Sequence, residues 1–336
     1  MLITNKAFIF FPTLYSPSDD VPTLLLMSRL AYLIFKPASK QHETEQELME
    51  IRAMLEPEFN LSIRATTPEV KAGQLAHQAV ENGAEVVIAS GGDGTVSAAA
   101  EALINTNIPF GVIPRGTANA FATYLDIPED LKAACQVILA GNTRLVDTAS
   151  CNGKPMVLLA GIGFEAKTIE QADREAKNRF GAFAYILAGI KQFWQGVKPF
   201  ETTIETESQT AVIQQATAVT IANSAPPTSV LAHGTTGVYV DDGLLDITIT
   251  SPESRLEGAI ALYHLIKSGF NDNAVDLDDV DHLRARHIKI TTQPPQPVVL
   301  DGNLMGTTPV EIECIPNSLN VFVPSHTTLL KKAEEA

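Results

Sequence analysis

Short apolar runs alternate with amphipathic stretches along the first third of the chain. Leu30–Phe35 is an uninterrupted apolar run that reads as a buried strand, and Lys36-Pro37-Ala38-Ser39-Lys40 follows as a loop. From Thr44 to Leu55 the apolar residues Leu48, Ile51 and Leu55 fall on one helical face. Leu61–Thr66 reads as a second strand, and Thr67–Val80 as a helix carrying Leu75, Ala76, Ala79 and Val80. Glu85–Ala89 is a third strand, Val96–Ile104 a helix, and Ile108–Pro114 a fourth strand. Strands alternating with helices predict an α/β, doubly wound parallel sheet, whose ligands lie at the carboxyl ends of the strands.

The pattern changes after a helix at Asp130–Leu139, for which Gly141 is the expected stop. From Arg144 the apolar segments shorten and lose the helical period. Strands are predicted at Leu145–Ala149, Met156–Ala160, Glu201–Glu207, Ala211–Ala222, Leu244–Thr250, Ile288–Thr292, Val298–Leu300, Val310–Cys314 and Leu319–Val323. Helices are expected at Ala176–Trp194 and Leu256–Lys267. Many strands with few helices predict a mainly antiparallel β-sandwich as a second domain. The expected division is an extension at 1–27, an α/β domain at 28–143, a β-rich domain at 144–324 and a charged tail at 325–336 that packs back on the first domain. Met27 stands directly before the first strand and is expected to be able to initiate translation.

Composition narrows the class. Across 336 residues, 45% are hydrophobic and 19% charged, values that suit a globular protein with a large core. The formal net charge of −15 argues against nucleic acid as a partner, which requires a basic face, and against simple adhesion to anionic lipid. A local basic patch remains open at Arg174, Lys177 and Arg179. Three cysteines without metal-ligand spacing, Cys135, Cys151 and Cys314, read as reduced buried thiols of a cytosolic protein. Pro12 and a lone Lys6 argue against a signal peptide around Phe8–Phe11.

The chemistry concentrates where the third and fourth strands end. Ser90-Gly91-Gly92-Asp93-Gly94-Thr95 joins a strand to a helix. Its glycines let backbone approach a ligand, and N–H groups at a helix start suit phosphate. Asp93 repels phosphate, so a metal ion or a hydroxyl awaiting deprotonation is what makes a carboxylate useful there. Pro114-Arg115-Gly116-Thr117-Ala118-Asn119 is a second polar glycine loop, in which Thr117 reads either as a helix cap or as half of a shared nucleotide cradle. Asp241-Asp242-Gly243-Leu244-Leu245-Asp246 reads either as a turn before a strand or as a hard-cation site. The segment Lys177–Trp194, with Phe180, Phe183, Phe193 and Trp194, reads either as a helix packed on the core or as a lipid-facing edge. The histidines form no triad.

These loops, in this order, give the chain a resemblance to the bacterial diacylglycerol-kinase-like lipid kinases, relatives of the sphingosine and ceramide kinases. The resemblance covers about Ser28 to Pro324. It rests on Gly91–Thr95, Gly116–Asn119, Gly161-Ile162-Gly163-Phe164-Glu165-Ala166, Asn178-Arg179-Phe180-Gly181 with Tyr185, Asp241–Asp246, and Leu300-Asp301-Gly302. It implies ATP- and Mg²⁺-dependent phosphorylation of a hydroxyl of diacylglycerol or a related lipid, with the nucleotide between the domains. It implies that the backbone of Gly91, Gly92, Gly94 and Thr95 holds phosphates, with Gly116, Thr67, Thr117 and Asn119 adding nucleotide contacts. Asp93 is implied to hold Mg²⁺ or to help activate the hydroxyl. A structural Mg²⁺ is implied at Asp242 and the carbonyls of Tyr239 and Leu244. A lipid met at a membrane surface, a cytoplasmic protein peripheral to that membrane, and a homodimer go with the same resemblance.

Four positions depart from the family. Lys36-Pro37-Ala38-Ser39-Lys40 stands for Asn-Pro-x-Ser-Gly, so a glycine contact is lost while two lysines offer charge. Ser97 and Ala98 stand for Asn-Glu, and Ala120 for Asp. Asp301-Gly302-Asn303 stands for Asp-Gly-Glu, whose Glu is the family's proton acceptor. An amide has no accessible basic form, and losing general-base help costs about 10²–10⁴-fold in rate. Asp301, or else Asp93, is the remaining base. The rival readings are a nucleotide- or lipid-binding homologue without turnover and an NAD kinase, which shares a Gly-Gly-Asp-Gly loop.

Overall fold

The computed structural model describes residues 28–38, 41–163, 198–225, 238–251, 280–325 and 327. The extension 1–27, the tail beyond 327, the expected helices at 176–194 and 256–267, the basic trio and the motif residues Phe164–Ala166 and Asn178–Tyr185 lie outside them.

The first half has the expected alternation. β1 (Arg29–Phe35), α1 (Gln41–Leu55), β2 (Phe59–Ala65), α2 (Ala72–Glu81), β3 (Val86–Gly91), α3 (Asp93–Glu101), β4 (Phe110–Pro114), α4 (Ala120–Tyr124) and α5 (Leu131–Ala140) follow in order. The strands lie parallel as β2-β1-β3-β4, and every residue of β3 and β4 is buried. α5 is capped as its sequence requires: the Asp130 carboxylate accepts from Ala133 N at 2.9 Å, and Gly141 closes the helix at φ 74°. α2 starts later than its apolar spacing predicts, because Thr67 closes a turn instead: its hydroxyl accepts from Glu69 N (3.2 Å) and Val70 N (3.0 Å). α3 starts earlier, with Gly92 as an extended N-cap and Asp93 in its first turn. The short α4 follows the second glycine loop, where Thr117 reads as a helix cap, and it spans five residues.

The second half is β5 (Thr143–Cys151), β6 (Lys154–Met156), β7 (Leu159–Gly163), β8 (Phe200–Thr206), β9 (Thr210–Ala216), β10 (Ala218–Ala222), β11 (Leu245–Thr250), β12 (Val280–Ala285), β13 (His287–Gln293), β14 (Pro297–Leu300), β15 (Asn303–Thr307) and β16 (Val310–Phe322). A six-stranded antiparallel sheet runs β12-β11-β10-β7-β14-β15. It packs its apolar face, including Ile162, Ile221 and Ile247, against Ile204, Ile288 and Ile312 of the other sheet. That sheet has ten strands, ordered β2-β1-β3-β4-β16-β13-β8-β9, with β5 and β6 branching from β16.

The ten-stranded sheet therefore crosses residue 143, where the sequence pattern changes. β16 is antiparallel to β13 at its start and parallel to β4 at its end, where Val321 faces Phe110. The two runs expected at Val310–Cys314 and Leu319–Val323 are one strand, and the Pro316-Asn317 irregularity is a register shift between Ile315 and Leu319. The cores divide at this shift: Ile312 and Cys314 belong to the sandwich, Leu319, Val321 and Phe322 to the parallel half. The run expected as one strand over 211–222 breaks at Thr217, where the chain leaves the larger sheet as β9 and enters the smaller as β10. All three cysteines are buried free thiols.

Candidate functional site

β3 and β4 are paired through Gly91–Pro114, so both glycine loops leave the sheet side by side. A Cβ placed on Gly116 would stand 2.6 Å from Gly92 Cα, and one on Gly92 would stand 3.0 Å from Gly116 Cα. The two loops therefore touch backbone to backbone. A Cβ on Gly91 would meet Thr95 Cβ at 2.8 Å, whereas at Gly94 the space is open. Thr95 N and Val96 N both bond to Gly92 O (2.8 and 3.1 Å), which leaves the earlier N–H groups of α3 without helical acceptors. Such a helix start favours an anion.

The second loop is held from within. Asn119 is buried and left-handed (φ 47°, ψ 42°); its Oδ1 accepts from Gly116 N at 2.7 Å, and its Nδ2 donates to Gly116 O and Glu129 Oε1, each at 3.3 Å. Asn119, not Thr117, is the N-cap residue of α4, and its side chain makes no cap bond to the helix but turns back onto Gly116. Thr117 is exposed beside it. The Asp93 carboxylate meets the start of α4, accepting from Phe121 N at 3.4 Å. Burial raises the Asp93 pKa against the pull of the Phe121 and Ala120 N–H groups. Thr67 lies in the turn after β2, two strands away from β3, with its hydroxyl on Glu69 Oε2 at 2.9 Å. Ser97, in place of the family's Asn, has a buried hydroxyl without a partner among the described residues, as does Ser90.

Asp301 and Gly302 form the two-residue turn between β14 and β15. Leu300 pairs with Asn303, and φ is 45° and 78° at the two turn residues, the geometry that selects Asp-Gly. The Asp301 carboxylate accepts three backbone N–H groups: Val157 on Oδ2 at 2.8 Å, and Leu158 and Leu159 on Oδ1 at 2.9 and 3.0 Å. Oδ2 keeps one lone pair beyond these bonds. Burial is the main cause that pushes the Asp301 pKa up to about 6; the three N–H groups oppose it and the nearby Asp93 carboxylate adds to it. Asn303 is exposed and donates to Asp301 O at 3.3 Å.

The peptides that grip Asp301 are gripped from behind by residues the sequence did not single out. Asn223 Nδ2 donates to Val157 O (3.0 Å) and Asp147 O (2.9 Å), and Ser224 Oγ donates to Val157 O (2.9 Å). The backbone N–H groups of Asn223 and Ser224 both reach Leu158 O. A polar pair directly after the apolar strand β10 is the signal that could have found them.

The Asp242 loop is pinned in the same way. Buried Asp147 accepts from Gly243 N and Asn317 N, both at 2.7 Å, and the Tyr124 hydroxyl donates to Val238 O at 2.6 Å. Burial raises the pKa of Asp147 and of Asp241. Asp242 Oδ2 pairs with Arg284 Nη2, and Asp242 Oδ1 accepts from Leu244 N at 3.1 Å. Arg284 Nε also donates to the fully buried Asp246 at 3.0 Å, an oxygen that His282 Nε2 shares at 3.1 Å. Among the described residues no three His, Cys, Asp or Glu side chains are grouped to hold a metal by themselves. Asp93 and Asp301 lie near enough for one charge to act on the other, and carboxylate oxygens are what a hard cation takes; the Asp242 carboxylate is held by Arg284 instead.

Residues 30–151 match the diacylglycerol kinase catalytic domain, and residues 159–323 match the YegS C-terminal NAD kinase beta sandwich-like domain. A Synechocystis protein called "Uncharacterized protein sll0036" is 48% identical over 90% of this chain and 72% of its own length. The diacylglycerol kinase of Bacillus subtilis is 26% identical over 91% of this chain and 98% of its own. A crystal structure of a diacylglycerol kinase from Bacillus anthracis superposes with a TM-score of 0.73 at 25% identity, covering 88% of this chain and 98% of that one. The paired glycine loops, the sandwich behind them and these matches lead to one conclusion: the chain belongs to the diacylglycerol-kinase-like lipid kinase family.

Proposed function

We propose that this protein is an ATP- and Mg²⁺-dependent kinase that transfers the γ-phosphoryl group to a hydroxyl of diacylglycerol or a related lipid. The observation that carries the reading is the backbone contact between Gly92 and Gly116, with Asp93 and Asp301 near enough for one charge to act on the other. The start of α3 and the open side of the loop at Gly94 suit the phosphates. Mg²⁺, when bound, would be held by Asp93 and phosphate oxygens and would neutralise the charge that develops during transfer. Asp301 accepts the hydroxyl proton on the lone pair that Oδ2 retains, and a pKa of about 6 keeps it ionised yet basic at neutral pH. The acceptor is met at a membrane surface from the cytoplasmic side; no helix among the described residues is long and apolar enough to cross a membrane.

Two other outcomes are built into the test. Asn303 in place of the usual Glu supports a homologue that binds without turnover. The NAD-kinase-like description of the sandwich supports phosphorylation of NAD. Purified protein is given γ-labelled ATP, Mg²⁺ and, separately, diacylglycerol, sphingoid bases, glycolipids and NAD. Labelled lipid supports the proposal. NADP as the only product overturns it. No transfer by the wild type, with transfer by Asn303→Glu, identifies a degenerate kinase.

A further inference from the structure

The loop that follows β1 lacks the family's glycine, yet its first residue is tied tightly into the site. The tie is Arg115, the residue between β4 and Gly116. Its backbone N donates to Gly91 O at 2.8 Å, which joins the two glycine loops at their root. Its guanidinium lies 4.3 Å over the Phe35 ring at the end of β1. Nη1 donates to Lys36 O at 2.7 Å, and Nη2 pairs with Glu47 of α1. Lys36 N in turn donates to Ser90 O at 2.9 Å, directly before the first glycine loop. The Arg115 side chain is only 10% exposed, and its Nε–H is buried without a partner among the described residues.

One side chain thus engages the end of β1 and the flank of α1, while its own backbone, directly after β4, holds the end of β3. The neighbouring Gly116 can touch Gly92 only if β3 and β4 end at matched heights, since any offset moves the loops apart or into collision. Lysine cannot reproduce this: it lacks the planar fork that donates in two directions while stacking on a ring.

We propose that Arg115 is a positioning residue for the nucleotide, acting through Lys36, Gly91 and Gly116 to set the spacing of the phosphate cradle. The inference rests on the nucleotide reading above and adds a residue to it. The alternative is an ordinary buried ion pair that only stabilises the sheet end.

Calorimetry with Mg·ATP separates the two, using wild type, Arg115→Lys, Glu47→Gln and, as a purely structural control, Ile51→Val in the buried face of α1. Arg115→Lys is expected to weaken ATP about tenfold, the size of one good hydrogen bond. Glu47→Gln, which leaves the fork and its stacking in place, is expected to weaken it less. If the wild type turns over, the loss should appear in the ATP KM, with kcat within about twofold. Folded Arg115→Lys that binds ATP like the wild type overturns the proposal, as does Ile51→Val weakening ATP equally. Failure of the wild type to bind ATP at all overturns the nucleotide reading, and this inference with it.

Discussion

Gly92 and Gly116 meet with no room for a side chain on the second: a Cβ there would sit 2.6 Å from Gly92 Cα and 2.7 Å from Asn119 Oδ1. The contact joins two loops that are adjacent only because β3 and β4 pair in parallel. A methyl group on Gly116 must push either a backbone or the Asn119 bond that closes the loop. Gly116→Ala is therefore expected to cost about 1–3 kcal/mol of stability and to abolish measurable ATP binding. Gly94→Ala has open space and is expected to bind ATP within a few-fold of wild type. Thermal unfolding and ATP calorimetry on both variants check this, and equal behaviour of the two would contradict the close-contact account.

Asp301 predicts a pH dependence of rate. A base must be ionised, so kcat/KM is expected to rise with pH through a midpoint near 6 and then level off. Asp301→Asn removes the basic form and leaves Val157 N facing an NH₂ group or a lost acceptor. It is expected to lower kcat by about 10²–10⁴-fold and to erase that limb. An unchanged acid limb in the variant would assign the proton transfer elsewhere, Asp93 being the nearest candidate.

The same residue sets a stability slope of known sign. Its carboxyl titrates near 3.8 unfolded and near 6 folded, so between those values the native state holds a proton that the unfolded chain releases. Asp301 thus favours folding at the acid end, and its contribution is lost as pH rises through about 6. Wild type minus Asp301→Asn, in denaturant titrations from pH 4 to 7, should show a stability difference that shifts against the wild type as pH rises.

Asn303 is exposed one residue past the turn. Asn303→Glu is expected to change stability by no more than about 0.5 kcal/mol, because it touches no core. It is expected to raise kcat, since it adds a carboxylate where the family has one. A folded Asn303→Glu with unchanged kcat would mean that Asp301 already performs the whole proton transfer.

Arg284 holds Asp242 and the fully buried Asp246 together. Arg284→Met strands a buried carboxylate beside His282 alone and is expected to cost about 3 kcal/mol. It also frees Asp242 for a hard cation with the carbonyls of Tyr239 and Leu244. Millimolar Mg²⁺ should therefore raise the Tm of Arg284→Met more than that of the wild type, as read by differential scanning calorimetry. A larger Mg²⁺ effect on the wild type would show that guanidinium and ion do not compete.

Much of the site was readable one-dimensionally, for local reasons. An apolar run followed by glycines and a helical segment already implies a strand, a tight turn and a helix start, and these three place Gly91–Thr95 at a sheet edge. Gly141 and Asp130 bound α5 through contacts within a few residues, and Asp301-Gly302 carries its own turn geometry. Family motifs in order added the likeness between Asp93, Asp242 and Asp301 and their counterparts.

Long-range pairing decided the rest. An apolar run looks the same whether the chain stays in one sheet or changes sheets, so the break at Thr217 and the single strand β16 across both cores were invisible until register was set. That a left-handed backbone turns the Asn119 amide onto Gly116 is likewise not written in its neighbours. Asp301 reads in the sequence as the remaining base, but only the sandwich brings it to the N–H groups of Val157, Leu158 and Leu159 and to the field of Asp93. Nothing near Arg115 in sequence points to Lys36 or Glu47; three strand ends had to be brought level first. The order of residues thus determined which local pieces exist and what chemistry they carry. Only the tertiary structure decided which carboxylates, amides and cations face one another, because those encounters depend on strand order and register, which no stretch of a few residues encodes.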